Sequence, residues 1–225
     1  MKGLLLKDWY TLIKQMKIML VLMLVFACVP GYSMAAFAVV YAAMLPVTAL
    51  AYDERSKWDE LAAMLPYSVR EIVGGKYVLG VTAVAAAGAV AAAAQLILSR
   101  FGWTQFDAEA AFALLFTACL ALIMLAVYLP VMFRLGVEKG RVLFTILICA
   151  SAAAGVILSD KLSALIDGIG SPVAAALVLL VIAAAAQIAS FEVSVRFYEM
   201  KKKKKSLILE EKVASVASLM RCLRR

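Results

Sequence analysis

A helix must run for about 20 largely apolar residues to cross the hydrocarbon core of a bilayer, which is roughly 30 Å thick. This sequence has five stretches without a single Asp, Glu, Lys or Arg that approach or exceed that length: residues 18–52, 77–99, 110–133, 142–159 and 168–191. A soluble domain has to coat its core with polar side chains. A chain that is 65% hydrophobic and 17% charged lacks them, since globular domains carry about a quarter charged residues. The fold class that follows is all-α, a polytopic membrane protein. Each of the last four stretches suits one helix. The first does not, because as a single helix it would reach roughly 50 Å at about 1.5 Å per residue. Near its middle stands Pro30-Gly31-Tyr32-Ser33, a turn-forming cluster that divides it into two short spans. The expectation is a transmembrane domain over 17–198 with six helices, at about 17–30, 33–52, 76–99, 109–133, 141–159 and 172–195.

Charge placement supports this division, because Lys and Arg gather in cytoplasmic loops. With six spans, one side holds Lys2, Lys7, Lys14 and Lys17, then Arg55, Lys57, Arg70 and Lys76, then Arg134, Lys139 and Arg141, then Arg196 and the whole basic tail over 199–225. Of the 23 basic residues only Arg100 and Lys161 fall on the other side. Both termini are therefore expected in the cytoplasm, and the net charge of +8 is a topology signal rather than a nucleic-acid footprint. The penta-lysine run at 201–205 follows the last span, where it can hold that helix end against anionic headgroups.

Several chemistries are excluded. With no histidine there is no imidazole base and no histidine metal site. Cys28, Cys119, Cys149 and Cys222 lack C-x-x-C spacing and read as neither a disulfide framework nor a zinc site. A phosphate-binding loop is missing too. The nearest look-alike, Gly74-Gly75-Lys76, has Arg70 where the first glycine belongs and Tyr77 where a hydroxyl is required. An ion-coupled carrier needs ionisable groups inside its spans. The nearest candidate is Glu192, with Arg196 at i+4 as partner, and near a helix end this pair reads as a salt bridge. Gln95 and Gln187 read as polar packing, and a membrane enzyme finds no paired carboxylates at suitable depth. A non-transporting scaffold remains as a further alternative.

Residues 1–16 read as an interfacial helix, with Leu5, Trp9, Leu12 and Met16 on one face, Lys7 and Lys14 opposite, and Trp9 and Tyr10 at headgroup depth. The loop over 53–76 is the most informative segment. Ser56, three residues before Asp59, reads as an N-cap, and Asp59 and Glu60 suit the positive end of a helix dipole. Pro66 stops that helix. Ser68 with Glu71 forms a second capping box ahead of the third span. The product is a short helix over 57–65 carrying Trp58, Leu61, Ala62 and Leu65 on one apolar face. Such a face must be buried, either on the protein's own inner surface or the headgroup layer, or in a partner's groove with Trp58 as anchor. Pro46 and Pro130 are candidate kink sites in the second and fourth spans.

The opening MKGLLLKDWY, the YDERSKWD stretch from Tyr52, the following LPYSVREI from Leu65 and the six-span plan resemble the small permease subunits of bacterial ABC exporters. Among these the chain is similar to permeases that export phenol-soluble modulins, amphipathic peptide toxins. Residue-level likeness covers about 1–80, and the tail over 206–225 stands outside it. The resemblance implies a bacterial cytoplasmic-membrane exporter whose energy comes from a separate ABC ATPase, present in two copies, with ATP and Mg bound there and no cofactor in this chain. It also implies that the 57–65 helix is a coupling helix seated in a cleft of the ATPase, with Trp58, Asp59, Glu60, Leu61, Leu65 and Pro66 as its coupling residues. Two permease copies, or two related permeases, would flank the route of an amphipathic peptide.

Overall fold

The computed structural model describes residues 2–15, 17–29, 31–103, 107–137, 139–140, 142, 145–146 and 172–223. Every regular element among them is a helix: α1 (Lys2–Gln15), α2 (Lys17–Cys28), α3 (Tyr32–Ala42), α4 (Leu45–Arg55), α5 (Trp58–Met64), α6 (Val69–Arg100), α7 (Ala108–Leu135) and α8 (Pro172–Leu223). Four stretches are long and apolar enough to cross a membrane: Ser33–Arg55, which joins α3 and α4, then Val69–Arg100, Ala108–Leu135 and Ala176–Lys203. The chain is a polytopic helical membrane protein. α1 and α2 meet at 76° and reach spanning length only together. The expected span at 141–159 lies almost wholly outside the described residues, and so does Met16 of the expected α1 face.

The first apolar run folds as a helical hairpin. Gln95 donates from Nε2 to the Val29 carbonyl at 3.1 Å, and Gln95 stands roughly 28 Å along α6 from Lys76 at about 1.5 Å per residue. The turn between α2 and α3 therefore lies at the end of the bundle opposite Lys76. This interface is lined with small side chains: Ala27, Ala35, Ala38 and Val39 pack against Val84 and Ala91 of α6. In lipid, where apolar burial offers no drive, such smooth surfaces let backbones approach closely.

Gly80 serves the same end in the middle of α6. A Cβ there would lie 2.5 Å from the Leu125 side chain of α7 and 3.2 Å from Pro46 of α4, so any larger residue must displace Leu125. Tyr77 ties α6 to α8 by hydrogen bonds with Ser190 at 2.5 Å and Ser194 at 2.7 Å, and Ser190 donates in turn to the Ala126 carbonyl of α7. These hydroxyls satisfy each other where water is scarce. A compact cluster closes the bundle at the charged end, joining Leu4, Ala62, Ile72, Val73, Leu129, Phe133, Val195 and Tyr198. α8 then continues without a break through the penta-lysine run to Leu223.

Candidate functional site

The connection from α4 to α6 is built from successive stop and start signals. Ser56 does not cap α5 as expected. It closes α4 instead, with its hydroxyl donating to the Asp53 carbonyl at 3.2 Å. The residue before α5 is Lys57, in the left-handed region at φ 54. That conformation turns the chain sharply and leaves Ser56 one position too early to reach the first free N–H groups. At the other end Leu65 is extended (φ −96, ψ 148), the conformation that a following Pro66 imposes. Ser68 and Glu71 form a full capping box: the Glu71 N–H donates to Ser68 Oγ at 3.3 Å and the Ser68 N–H to Glu71 Oε2 at 3.0 Å. Helix α6 thus begins where the sequence places it.

Two faces of α5 behave differently. Ala62 is buried in the core cluster and Trp58 packs against that cluster from its edge. Leu61, Met64 and Leu65 are exposed at 55%, 85% and 42%, beside an exposed Pro66. Trp58 is thus half-buried on the inner side of α5, the first of the two placements open to its apolar face. Within a helix of 7 residues, Trp58 and Ala62 share the side that meets the bundle, and Leu61 and Met64 turn away from it. Asp59 and Glu60 lie in the first turn of α5.

Beneath Trp58 lies a closed ring of four charges. Lys7 Nζ is 2.6 Å from Asp53 Oδ1 and 3.1 Å from Asp8 Oδ1. Lys76 Nζ is 2.8 Å from Asp8 Oδ1 and 2.6 Å from Asp53 Oδ2. Asp8, Asp53 and Lys76 are buried at 2%, 8% and 3%. The ring is neutral, with each lysine shared by both carboxylates, which is the condition for keeping charges out of water. It joins α1, α4 and α6, and Lys7 Nζ also sits 4.2 Å from the Trp58 ring centroid, extending it to α5. Lys7 was expected to point away from the membrane-facing side of α1. It points into the bundle instead, because the buried face of α1 is Leu4, Asp8 and Leu12, while Trp9 and Tyr10 are exposed. Next to the ring, Glu54 Oε2 accepts the Val137 N–H at 2.7 Å and thereby ties α4 to the segment after α7. That segment turns at Gly136, whose φ of 80 suits glycine.

The remaining candidates are scattered. Pro46 opens α4 directly after the break at 43–44 and is packed against α6, whereas Pro130 lies inside α7, which runs on to Leu135. Glu192 and Arg196 are both exposed, and among the described residues no ion pair joins them, in contrast to the expected bridge. Gln187 donates to the Leu122 carbonyl at 2.7 Å, a cross-helix bond as expected of polar packing. Lys76, the lysine of the phosphate-loop look-alike, is held in the ring with Gly74 and Gly75 inside a helix. The ring itself escaped sequence reasoning, although a signal existed. Asp8, Asp53 and Lys76 each interrupt an otherwise apolar helix face, at i+4 from Leu4, Ala49 and Ile72, and opposite charges on apolar faces want each other.

A model of the family described as ABC-2 family transporter protein matches residues 3–199. The chain belongs to the ABC-2 transporter family. An ABC-2 membrane subunit works in a lipid bilayer with an ABC ATPase as its partner, and this chain is accordingly a permease subunit of an ABC transporter. Neither the curated proteins nor the solved structures offer a match. The family match takes in everything from α1 to the end of the core contacts of α8 and stops before the penta-lysine run at 201–205.

Proposed function

We propose that this permease subunit exports amphipathic peptides or other membrane-active molecules from a bacterial cell, driven by an ATPase that docks on α5. The observation that carries this reading is the division of α5: Trp58 and Ala62 are rooted in the bundle while Leu61, Met64 and Leu65 form an apolar edge turned outward. That edge lies at the end of the bundle where Lys7, Arg55, Lys57 and Lys76 gather, the cytoplasmic side by the positive-inside rule. A short helix with an exposed apolar edge suits a groove on a partner, and family membership names the kind of partner. Both termini are then cytoplasmic. Closed assemblies favour twofold symmetry, so two permease copies with two ATPases are the default, and a pair of related permeases is the other arrangement. ATP and Mg belong to the ATPase. Cargo enters between the permeases from the inner leaflet or cytoplasm, and the resemblance to modulin exporters is what favours an amphipathic peptide.

The carrier reading draws no support from Glu192 and Arg196, which are exposed and unjoined, and the aspartates of the ring are already neutralised by lysines. To test the proposal, the chain is co-purified with its ABC ATPase and ATP turnover is measured in liposomes. Leu61→Ser with Met64→Ser is expected to weaken the complex by about tenfold or more, the loss of two apolar contacts. Wild-type chain that captures no ATPase, or a double variant that binds and turns over as wild type does, would sink the reading.

A further inference from the structure

We propose that Lys7 is the positioning residue of α5: bound in the four-charge ring on one side and lying over Trp58 on the other, it sets the direction in which the Leu61, Met64 and Leu65 edge points. What this positioning is for rests on the permease reading above. That it occurs at all is a separate claim. A helix of 7 residues is far below the length that holds its own shape in water. The left-handed Lys57 also interrupts the backbone between α4 and α5, so α5 cannot inherit the direction of α4. Its orientation must come largely from side chains, and among those described two turn inward: Ala62 in the core cluster, and Trp58 against both that cluster and Lys7.

Lys7 is unlike the other members of the ring. Its side chain is 24% exposed, while those of Lys76, Asp8 and Asp53 are at 4%, 3% and 11%. It is the outermost charge and the one that touches α5. It is also fixed in place. If Lys7 left, Lys76 alone would face two carboxylates and one buried negative charge would be uncompensated, which is strongly unfavourable. The ring therefore holds the ammonium, and the ammonium holds the indole face, whose electron density attracts a cation. A pull on the outward edge of α5 reaches α1 through Lys7, and α4 and α6 through Asp53 and Lys76, beside the packing of Ala62 and Trp58 on the core cluster.

The test uses full-length protein in nanodiscs of phosphatidylethanolamine and phosphatidylglycerol, as wild type, Lys7→Met, Lys7→Arg, Trp58→Leu and Lys7→Met with Trp58→Leu. Hydrogen exchange at 58–64 is expected to quicken by about tenfold in Lys7→Met and in Trp58→Leu, the latter leaving the ring intact and α7 unchanged, and to stay within about twofold of wild type in Lys7→Arg, which keeps the cation over the indole. In the complex with ATPase, permease-dependent ATP turnover is expected to fall about fivefold in Lys7→Met, to recover in Lys7→Arg, and to fall no further in the double variant than in the worse single one. Unchanged exchange at 58–64, an equal rise in α7 in Trp58→Leu, or losses that multiply in the double variant each overturn the proposal. A wild-type chain that binds no ATPase strikes down the permease reading instead, while the exchange measurement still decides the role of Lys7.

Discussion

The two ends of α6 hold their neighbours by opposite means. At the charged end, Lys76 reaches α1 and α4 through ion pairs of fixed geometry with Asp8 and Asp53. Towards the other end, Val84, Ala87 and Ala91 are buried on α6, Val84 and Ala91 meet alanines of α2 and α3, and the polar contact there is a single neutral bond from Gln95 to the Val29 carbonyl among the described residues. Ion pairs demand one arrangement of their partners, because a small displacement leaves buried charge unpaired. Alanine against alanine tolerates sliding, since small surfaces fit in several registers. A transporter needs both behaviours, a joint that keeps register and an interface that can shift. Here they occupy different levels of one helix.

The sharpest way to break this contrast is at the ring. Asp8→Asn should destabilise the fold by about 3–5 kcal/mol, as expected when one partner of a buried pair is removed, read as thermal unfolding in detergent. Asp8→Asn combined with Lys76→Met removes one charge of each sign and should recover much of that loss. Failure to recover would mean that shape, not charge, holds α1 in place. Gly80→Val is next, at about 1–3 kcal/mol, since its side chain must displace Leu125 and Pro46. If Gly80→Val proved neutral, the close approach of α4, α6 and α7 would not be a constraint. Tyr77→Phe should cost about 1 kcal/mol, the usual size of a cross-helix bond in a membrane, with Ser190 still served by its bond to the Ala126 carbonyl. Glu192→Gln should leave both stability and transport within error, and loss of transport under an ion gradient would revive the carrier alternative.

Much of the helical plan could be read from uncharged runs, because the bilayer leaves so few alternatives for a backbone that must satisfy its own hydrogen bonds. The capping box at Ser68 and Glu71 was legible for a similar reason, as both partners lie within one turn. The ring was not. Lys76 and Asp8 are 68 residues apart, and helical periodicity reports which face a residue occupies without naming what faces it. The error at Ser56 has a local cause: both a cap of the next helix and a closing bond to the last turn suit a serine, and the left-handed Lys57 decided between them. The apolar face of α5 was legible, but not which of its residues turn inward: a large aromatic suits a partner's groove and its own bundle alike, and the structure sets Trp58 against Lys7 and the core cluster.

The continuity of α8 through the lysine run has a mechanical consequence. Its 52 residues extend roughly 78 Å, well beyond the bilayer with its headgroups at about 40–45 Å, so this helix stands clear of the membrane as a post. Positions 201–205 step around the axis by about 100° each and so pass through every direction. A basic stripe could be relieved by turning the helix, but a basic collar cannot. Anionic headgroups then meet lysine whichever way the helix faces and oppose any plunge of the post into the lipid, while the bonds of Ser190, Ser194 and Gln187 fix its rotation within the bundle.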